Sequence, residues 1–542
     1  MMMFGSTVAL LLASITSSST ALLTSDETFE MYLSQRNSFL QVEESLSINS
    51  VWKLTPEEEH VDSMLKALKS IDQQLDPIPT QFAFSTMHST IDNSKLFHLV
   101  KQFPKGGLLH SHDTSSQDMY FYVEQSYRSD CLYNVGDDPD MYGSITYQPG
   151  PDYVPISEVR NAWPGGVEKF DNELYLNLTL LPYLDQPDTT GDYLWEKFQP
   201  IFSRVGNAYQ YLPVFQQYFR EMFPKLWDDG ITQWQMRTSL IGAYDGNKTY
   251  SQAETLQFIL NELDAWKAED PEKRNVFSFS IVIQGIRDAP VEEVTAALTS
   301  AYALRAQFPD VIVGFDLVGH EDPGKTLLYW APILMATELA LHNDPAYASS
   351  PNMPFLFHAG ESNRYRVQEN LVDAVLLNTS RIGHGFGIQE FPALWPLLTE
   401  KNIIIESCPI SNQLLGLIVD QRNHPIGQML HHAAHSVTHK DSKMYDELVK
   451  VDQRLQTLLF DKMNFIPSLS VSLSNDDPGF WGIDAIMSYD WYIAVLAWDL
   501  SLGAIKQLAM DSIVYSGVGL DKRVELLLDW NAKWNVWIDS LQ

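Results

Sequence analysis

Residues 104–113 read Pro-Lys-Gly-Gly-Leu-Leu-His-Ser-His-Asp, and the fold of the whole chain is read outward from this stretch. Gly107-Leu108-Leu109 starts a short apolar strand, with His110 and His112 two apart at its end. Alternation along a strand turns residues i and i+2 to one face, so a single metal ion is within reach of both imidazoles. A lone His-x-His arises often by chance, and the pair gains meaning only if other ligands end other strands. Further apolar runs at 232–237, 277–283, 311–317, 354–358, 380–384, 403–406 and 468–473 bring the strand candidates to eight. Most are separated by a helix-length segment such as 290–308 or 370–377. Eight such units predict an α/β fold, a (β/α)8 TIM barrel, whose sites are built on the rim at the C-terminal ends of the strands. His358, His384 and Asp476 fall at or just after the ends of their runs, on the same rim as His110 and His112.

That residue set points to metal chemistry. His110, His112, His358 and Asp476 make three imidazoles and one hard carboxylate, which suits one zinc ion with a position left open for water. Zinc lowers the pKa of a bound water to about 7, and a base must still orient or deprotonate it. His384, in Arg381-Ile382-Gly383-His384-Gly385, is placed for that role; the alternative is a hydrogen-bonded core histidine. Ala359 and Gly360 permit a tight turn after His358 that returns Glu361 towards the metal, where it serves as the acid protonating a ring nitrogen. Asp477 can hydrogen-bond the attacking water, or it is simply a helix N-cap before Pro478.

The bulk properties bound the setting. The chain has 542 residues, 45% of them hydrophobic and 12% aromatic, with a net charge of −33. This is a globular composition, and so acidic a surface repels nucleic acid and anionic membranes. Residues 1–21 read as a signal peptide, with the apolar core Val8-Ala9-Leu10-Leu11-Leu12-Ala13 and a cleavage point near Ala21, although Lys and Arg are missing from its start. Sequons at Asn177, Asn247 and Asn378 agree with a secreted, extracellular glycoprotein. No later segment is apolar for long enough to span a membrane. Residues 22–100 form a helical extension, and 101–542 the barrel. The barrel carries an irregular, aromatic-rich insertion at about 114–188 and an extra helical segment at about 431–463. In that segment Met444, Leu448, Val451, Leu455 and Leu459 recur at helical spacing, while His431, His432, His435 and His439 read as a polar loop. Cys131 and Cys408, the two cysteines, are expected as free thiols.

At this point the chain resembles a known family, the adenosine deaminases, and within it the secreted adenosine deaminase-related growth factors of the adenosine deaminase 2 group. The resemblance rests on residues 104–113, 314–322, 357–361, 378–386, 406–413 and 472–478. It implies that His110, His112, His358 and Asp476 hold zinc, that Glu361 donates a proton and that His384 activates water. It further implies that Asp477 and Gly319 contact the purine, Asp113 the ribose, and that Trp195, at the opening of a helix, lines the nucleoside site. The implied reaction converts adenosine and 2′-deoxyadenosine to inosine-type products and ammonia. The implied partners are a second copy of the chain, held through the N-terminal extension, and a cell-surface receptor or glycan. Two other readings stay open: a deaminase of AMP or other 6-aminopurine nucleotides, with Arg287 or Lys325 offsetting the acidity, and a growth-factor-like receptor ligand with the barrel as scaffold. The chain departs from its relatives in Gln284-Gly285-Ile286-Arg287, where they often have a His before the Arg, in the unpaired Cys131, and in the length of 431–463.

Overall fold

The structure is a computed structural model. It describes residues 25–184, 190–347, 350–364, 367–431, 443–456, 458–459, 463–464, 469–484 and 486–542. The expected signal peptide at 1–21 lies outside these residues, as do His432, His435 and His439.

Among the described residues the barrel strands are β1 (Gly106–Leu108), β2 (Ile231–Thr238), β3 (Ser278–Ile286), β4 (Ile312–Val318), β5 (His358–Ala359), β6 (Arg381–His384), β7 (Ile404–Ser407) and β8 (Val471–Leu473). They form two four-stranded parallel sheets in the orders β1-β2-β3-β4 and β5-β6-β7-β8. Isolated parallel bridges, Phe315 to Phe355 and Ser111 to Asp476, join the two sheets at both edges and complete the ring. Each run anticipated from the sequence contributes a strand. β4 is buried at every position, as expected for a parallel strand covered on both faces. The boundaries shift where pairing is thin. The run 354–357 meets β4 only through the Phe355 bridge, so β5 begins at His358, and β1 ends at Leu108 with His110 and His112 just beyond it.

The N-terminal segment is helical at Ser25–Leu46, Pro56–Asp72, Phe84–Asp92 and Lys95–Val100. The second of these begins with a capping box, Thr55 with Glu58, and is fastened to the C-terminal helices by Lys506 Nζ donating to Glu58 at 2.7 Å. After β1 the chain forms a three-stranded antiparallel sheet from Leu132–Asn134, Ile145–Thr146 and Tyr153–Pro155. Phe121, Tyr133, Tyr147 and Phe170 are buried around it, which is the small aromatic core foreseen for the insertion. Helix Gly191–Gln210 follows. Trp195 lies one turn inside this helix, not at its opening. In the extra segment, helix Lys443–Val451 buries Leu448 and Leu455 follows buried on the next turn, whereas Val451 is exposed. His431 is tied internally, one ring nitrogen on Ser47 Oγ and the other on the Trp498 carbonyl, each at 2.8 Å.

Candidate active site

Four side chains converge at the bottom of the barrel mouth. Ligand atoms of His110, His112, His358 and Asp476 all lie within 4.8 Å of one another, and all four residues are buried. His110 Nε2 is 3.1 Å from His358 Nε2, and His112 Nε2 is 3.1 Å from Asp476 Oδ1. The other nitrogen of each ring explains this arrangement. His110 Nδ1–H donates to Glu406 at 2.9 Å, His358 Nδ1–H to Asp316 at 2.6 Å, and His112 Nδ1–H to Gln284 Oε1 at 3.3 Å. With the protons held on Nδ1, three Nε2 lone pairs face each other and a carboxylate. Such a set is repulsive by itself and complementary to a cation. Asp476 Oδ1 and His384 Nε2 are buried without a hydrogen-bond partner, as a metal site and its water would require. The donor set therefore fits a divalent metal ion.

Backbone geometry aims these groups. His384, the last residue of β6, and Asp476, three residues past β8, each adopt φ of 60°. That is the left-handed region, which non-glycine residues occupy at a cost and mostly at functional positions. Gly360 (φ +76°) makes the turn anticipated after His358. The turn is fastened by Glu321, which accepts from the Glu361 N–H at 2.9 Å and the Gly360 N–H at 3.2 Å. Glu361 Oε1 thereby comes to 3.4 Å from His384 Nδ1. Burial, then the charges of Asp476, Glu321 and Asp477, raise the Glu361 pKa well above the usual carboxylate range. Burial pushes the His384 imidazole well below its usual pKa despite Asp476. Asp477 precedes the 3-10 turn Pro478–Trp481, but its side chain makes no cap bond and instead accepts from Ser115 Oγ. Burial and the neighbouring Asp476 raise its pKa to about 8.

Above these residues lies a cavity of about 660 Å³. Asp113, Trp195, Gly319, Glu361 and Asp477 line it together with His112, His358 and Asp476, while His110 and His384 sit behind them. Gln284 and Ile286 line the wall at the sequence departure, which falls at the end of β3. Among the described residues no Lys or Arg lines the cavity. Arg287 is buried behind the wall, bonded to the His358 carbonyl at 2.9 Å, and Lys325 Nζ donates to the Ala289 carbonyl at 2.7 Å, so neither is part of the lining. Trp195 is stacked on His320 with ring centroids 4.5 Å apart, and Arg364 pairs with Asp192 at 2.6 Å and Asp322 at 3.2 Å. This clasp holds helix Gly191–Gln210 across the barrel mouth.

The groups that orient the histidines had no role legible in the sequence. Asp316 and Glu406 are fully buried, and Arg237 reaches both, with Arg381 also on Glu406. Their one sequence signal was an acidic residue inside an apolar run, as in Phe315-Asp316-Leu317 and Ile405-Glu406. Ser411, donating to Asp476 at 2.7 Å, and Asn412, whose side-chain amide stands 3.0 Å from His384 Nδ1, were also missed.

A buried set of three histidines and an aspartate beneath a cavity lined by acids but no Lys or Arg, on a TIM barrel, fits the class of metal-assisted hydrolases of small molecules. Comparison with known proteins narrows this class. The family model described as Adenosine deaminase matches residues 281–465, and Adenosine/AMP deaminase N-terminal matches residues 8–100. An "Adenosine deaminase" of Lutzomyia longipalpis is 29% identical, covering 95% of this chain and 94% of its own. "Adenosine deaminase 2" of Sus scrofa is 28% identical and covers 94% of each chain. Among solved structures, arabidopsis ADAL complexed with IMP superposes with a TM-score of 0.52 at 13% identity, covering 81% of this chain and 99% of its own, which supports the fold. The chain belongs to the adenosine deaminase family, in its adenosine deaminase 2 type group, and is a hydrolytic deaminase. No helix among the described residues is long and apolar enough to cross a membrane.

Proposed function

We propose that the chain is an extracellular, zinc-dependent enzyme that hydrolyses adenosine and 2′-deoxyadenosine to the inosine products and ammonia. The observation that carries this reading is the convergence of His110, His112, His358 and Asp476 under a cavity whose described lining contains acids and apolar groups but no cation. These four residues would hold one zinc ion per chain. When bound there, zinc supplies the Lewis acidity that makes water nucleophilic near neutral pH.

The chain's own residues supply the rest. The purine enters with its C6 edge towards His112 and His358. Glu361, kept protonated by burial, donates to ring nitrogen N1 as C6 is attacked. His384, facing the same point, takes the proton from the attacking water and passes it to the exocyclic nitrogen, which leaves as ammonia while the C6 hydroxyl returns its proton to Glu361. Asp477 bonds the imidazole edge of the purine, and the backbone at Gly319 contacts its other edge. Asp113 accepts from a sugar hydroxyl, and Trp195 packs beside the nucleoside. A 5′-phosphate would have no positive partner in the described lining, which favours nucleosides over AMP. The apolar run at 8–13 and the sequons at Asn177, Asn247 and Asn378 support secretion. The exposed Phe29, Tyr32, Phe39 and Leu40 of the first helix support a homodimer.

Steady-state rates on adenosine, 2′-deoxyadenosine and AMP, measured side by side on metal-analysed protein, test the proposal. The nucleosides should lead AMP by at least about tenfold in kcat/KM, roughly 1.4 kcal/mol of discrimination. A tenfold preference for AMP would overturn it.

A further inference from the structure

The cavity is longer than a nucleoside bound at the histidines would use. Helix Gly191–Gln210 turns one face to it from Trp195 to Gln210, a run of about 22 Å at 1.5 Å per residue. Trp195 stands over the loop after β4, on His320. The far end of the helix is held beside the loop after β2, where Tyr211 bridges to Tyr244. The arm of the cavity under that far end is lined by Tyr209, Phe215, Leu240 and Ile241 beside Gly206, with the polar Asn207 and Gln210 at its edge.

Two features of this arm carry a local cost and shape it. Gly206 lies inside a helix, where glycine is disfavoured relative to alanine, yet its backbone is ordinary and a Cβ there would meet nothing within 4 Å. Nothing in the packing asks for glycine; what it leaves is room. Leu240 has φ of 46°, a conformation rarely taken by a branched side chain, and so is held facing the cavity. The Thr238 hydroxyl fixes it, accepting from the Leu240 N–H at 2.7 Å while donating to Asp113 Oδ2 at 2.6 Å. One hydroxyl thus sets both the carboxylate at the border of the arm and the aliphatic wall beyond it. Ile241 and Ile286 are 59% and 47% exposed along the cavity, apolar surface that an apolar ligand would cover.

We propose, building on the deaminase reading above, that this arm is a subsite for an uncharged, apolar substituent on the 5′ carbon of a 6-aminopurine nucleoside, as in 5′-deoxy-5′-alkylthioadenosines. C6 and the sugar lie at opposite ends of the nucleoside. With C6 at the histidines and the sugar at Asp113, the 5′ carbon is the atom that leads into the arm. Water enters and ammonia leaves at C6, and the substituent is unchanged.

The test is kcat/KM for 5′-deoxy-5′-propylthioadenosine and adenosine on the zinc-loaded parent enzyme and on Gly206→Leu, with thermal melts of both proteins. The alkylthio-to-adenosine ratio should be one or more in the parent and fall by at least about tenfold in the variant, the discrimination expected when a hydrophobic pocket loses room for a methylene or more. A parent ratio below one, or a smaller change in the variant, overturns the subsite. If Gly206→Leu melts early, Gly206→Ala replaces it and the ratio should still fall. Failure of the parent to deaminate adenosine sinks the deaminase reading itself. Adenosine turned over with the alkylthio analogue rejected sinks only the subsite.

Discussion

At the residue scale, the buried carboxylates of Asp316 and Glu406 stand behind the proposed zinc ligands. Burial alone would raise their pKa values. The His358 and Arg237 contacts hold Asp316 well below the usual carboxylate range, and Arg237, Arg381 and His110 do the same for Glu406. Both therefore stay charged and keep Nδ1 protonated on the histidines they face. Asp316→Asn should weaken zinc binding by about 10–100-fold, measured by competition with a chromophoric chelator, and an unchanged affinity would contradict the role. Ligand and acid are separable in the same way. His358→Ala should lose bound zinc, whereas Glu361→Gln should retain it and lose about 10²–10⁴-fold in turnover. Metal analysis of the two variants decides this, and zinc retained in His358→Ala would refute the ligand assignment. The ligands themselves were legible because each ends an apolar run. Asp316 and Glu406 were visible as acids in strands, but their partners, Arg237 above all, come from distant strands and appear only when the ring closes.

At the scale of elements, helix Gly191–Gln210 is positioned by contacts at its start. The Arg364 pairs with Asp192 and Asp322 are half exposed, so their static worth is at most about 1 kcal/mol. Their effect falls on the helix end that carries Trp195. Arg364→Ala should raise KM for adenosine by up to about fivefold and change kcat less, and a fall confined to kcat would contradict a positioning role. A second element pair is joined by Asp511 of helix Leu502–Val514, which accepts from Tyr445 Oη of helix Lys443–Val451 at 3.0 Å and from Gln507 at 2.8 Å. Burial pushes its pKa up to about 7 from an ordinary value of 3.8. The folded state thus binds this proton more tightly than the unfolded one. The associated stability is full below about pH 3.8 and is lost as pH rises towards 7. Asp511→Asn should escape that loss, so its melting temperature relative to the parent should climb between pH 4 and pH 7.5; a flat difference would refute it. The sequence marked the helical face of this segment and the insertion's aromatic core. It did not show that the helix after the insertion crosses the barrel mouth, because one tryptophan in a helix does not say what the helix covers.

At the scale of the molecule, the strand rhythm carried the architecture, since eight buried parallel strands have few other ways to pack. Substrate preference was less legible. In the sequence Arg287 and Lys325 looked able to offset the acidic surface, and in the structure both bond backbone carbonyls outside the cavity lining. The cavity lining is assembled from residues spread between 112 and 477, so its lack of cations has no local signature. A metal ion held at His110, His112, His358 and Asp476 is what would make this cavity a deaminase. Adenosine turnover measured as zinc is returned to chelator-stripped, folded protein tests it directly. Activity should be absent in the stripped enzyme, rise in proportion to bound zinc and saturate at one ion per chain, as a single four-residue site requires. Full activity in the zinc-free protein, or none at saturation, would contradict it.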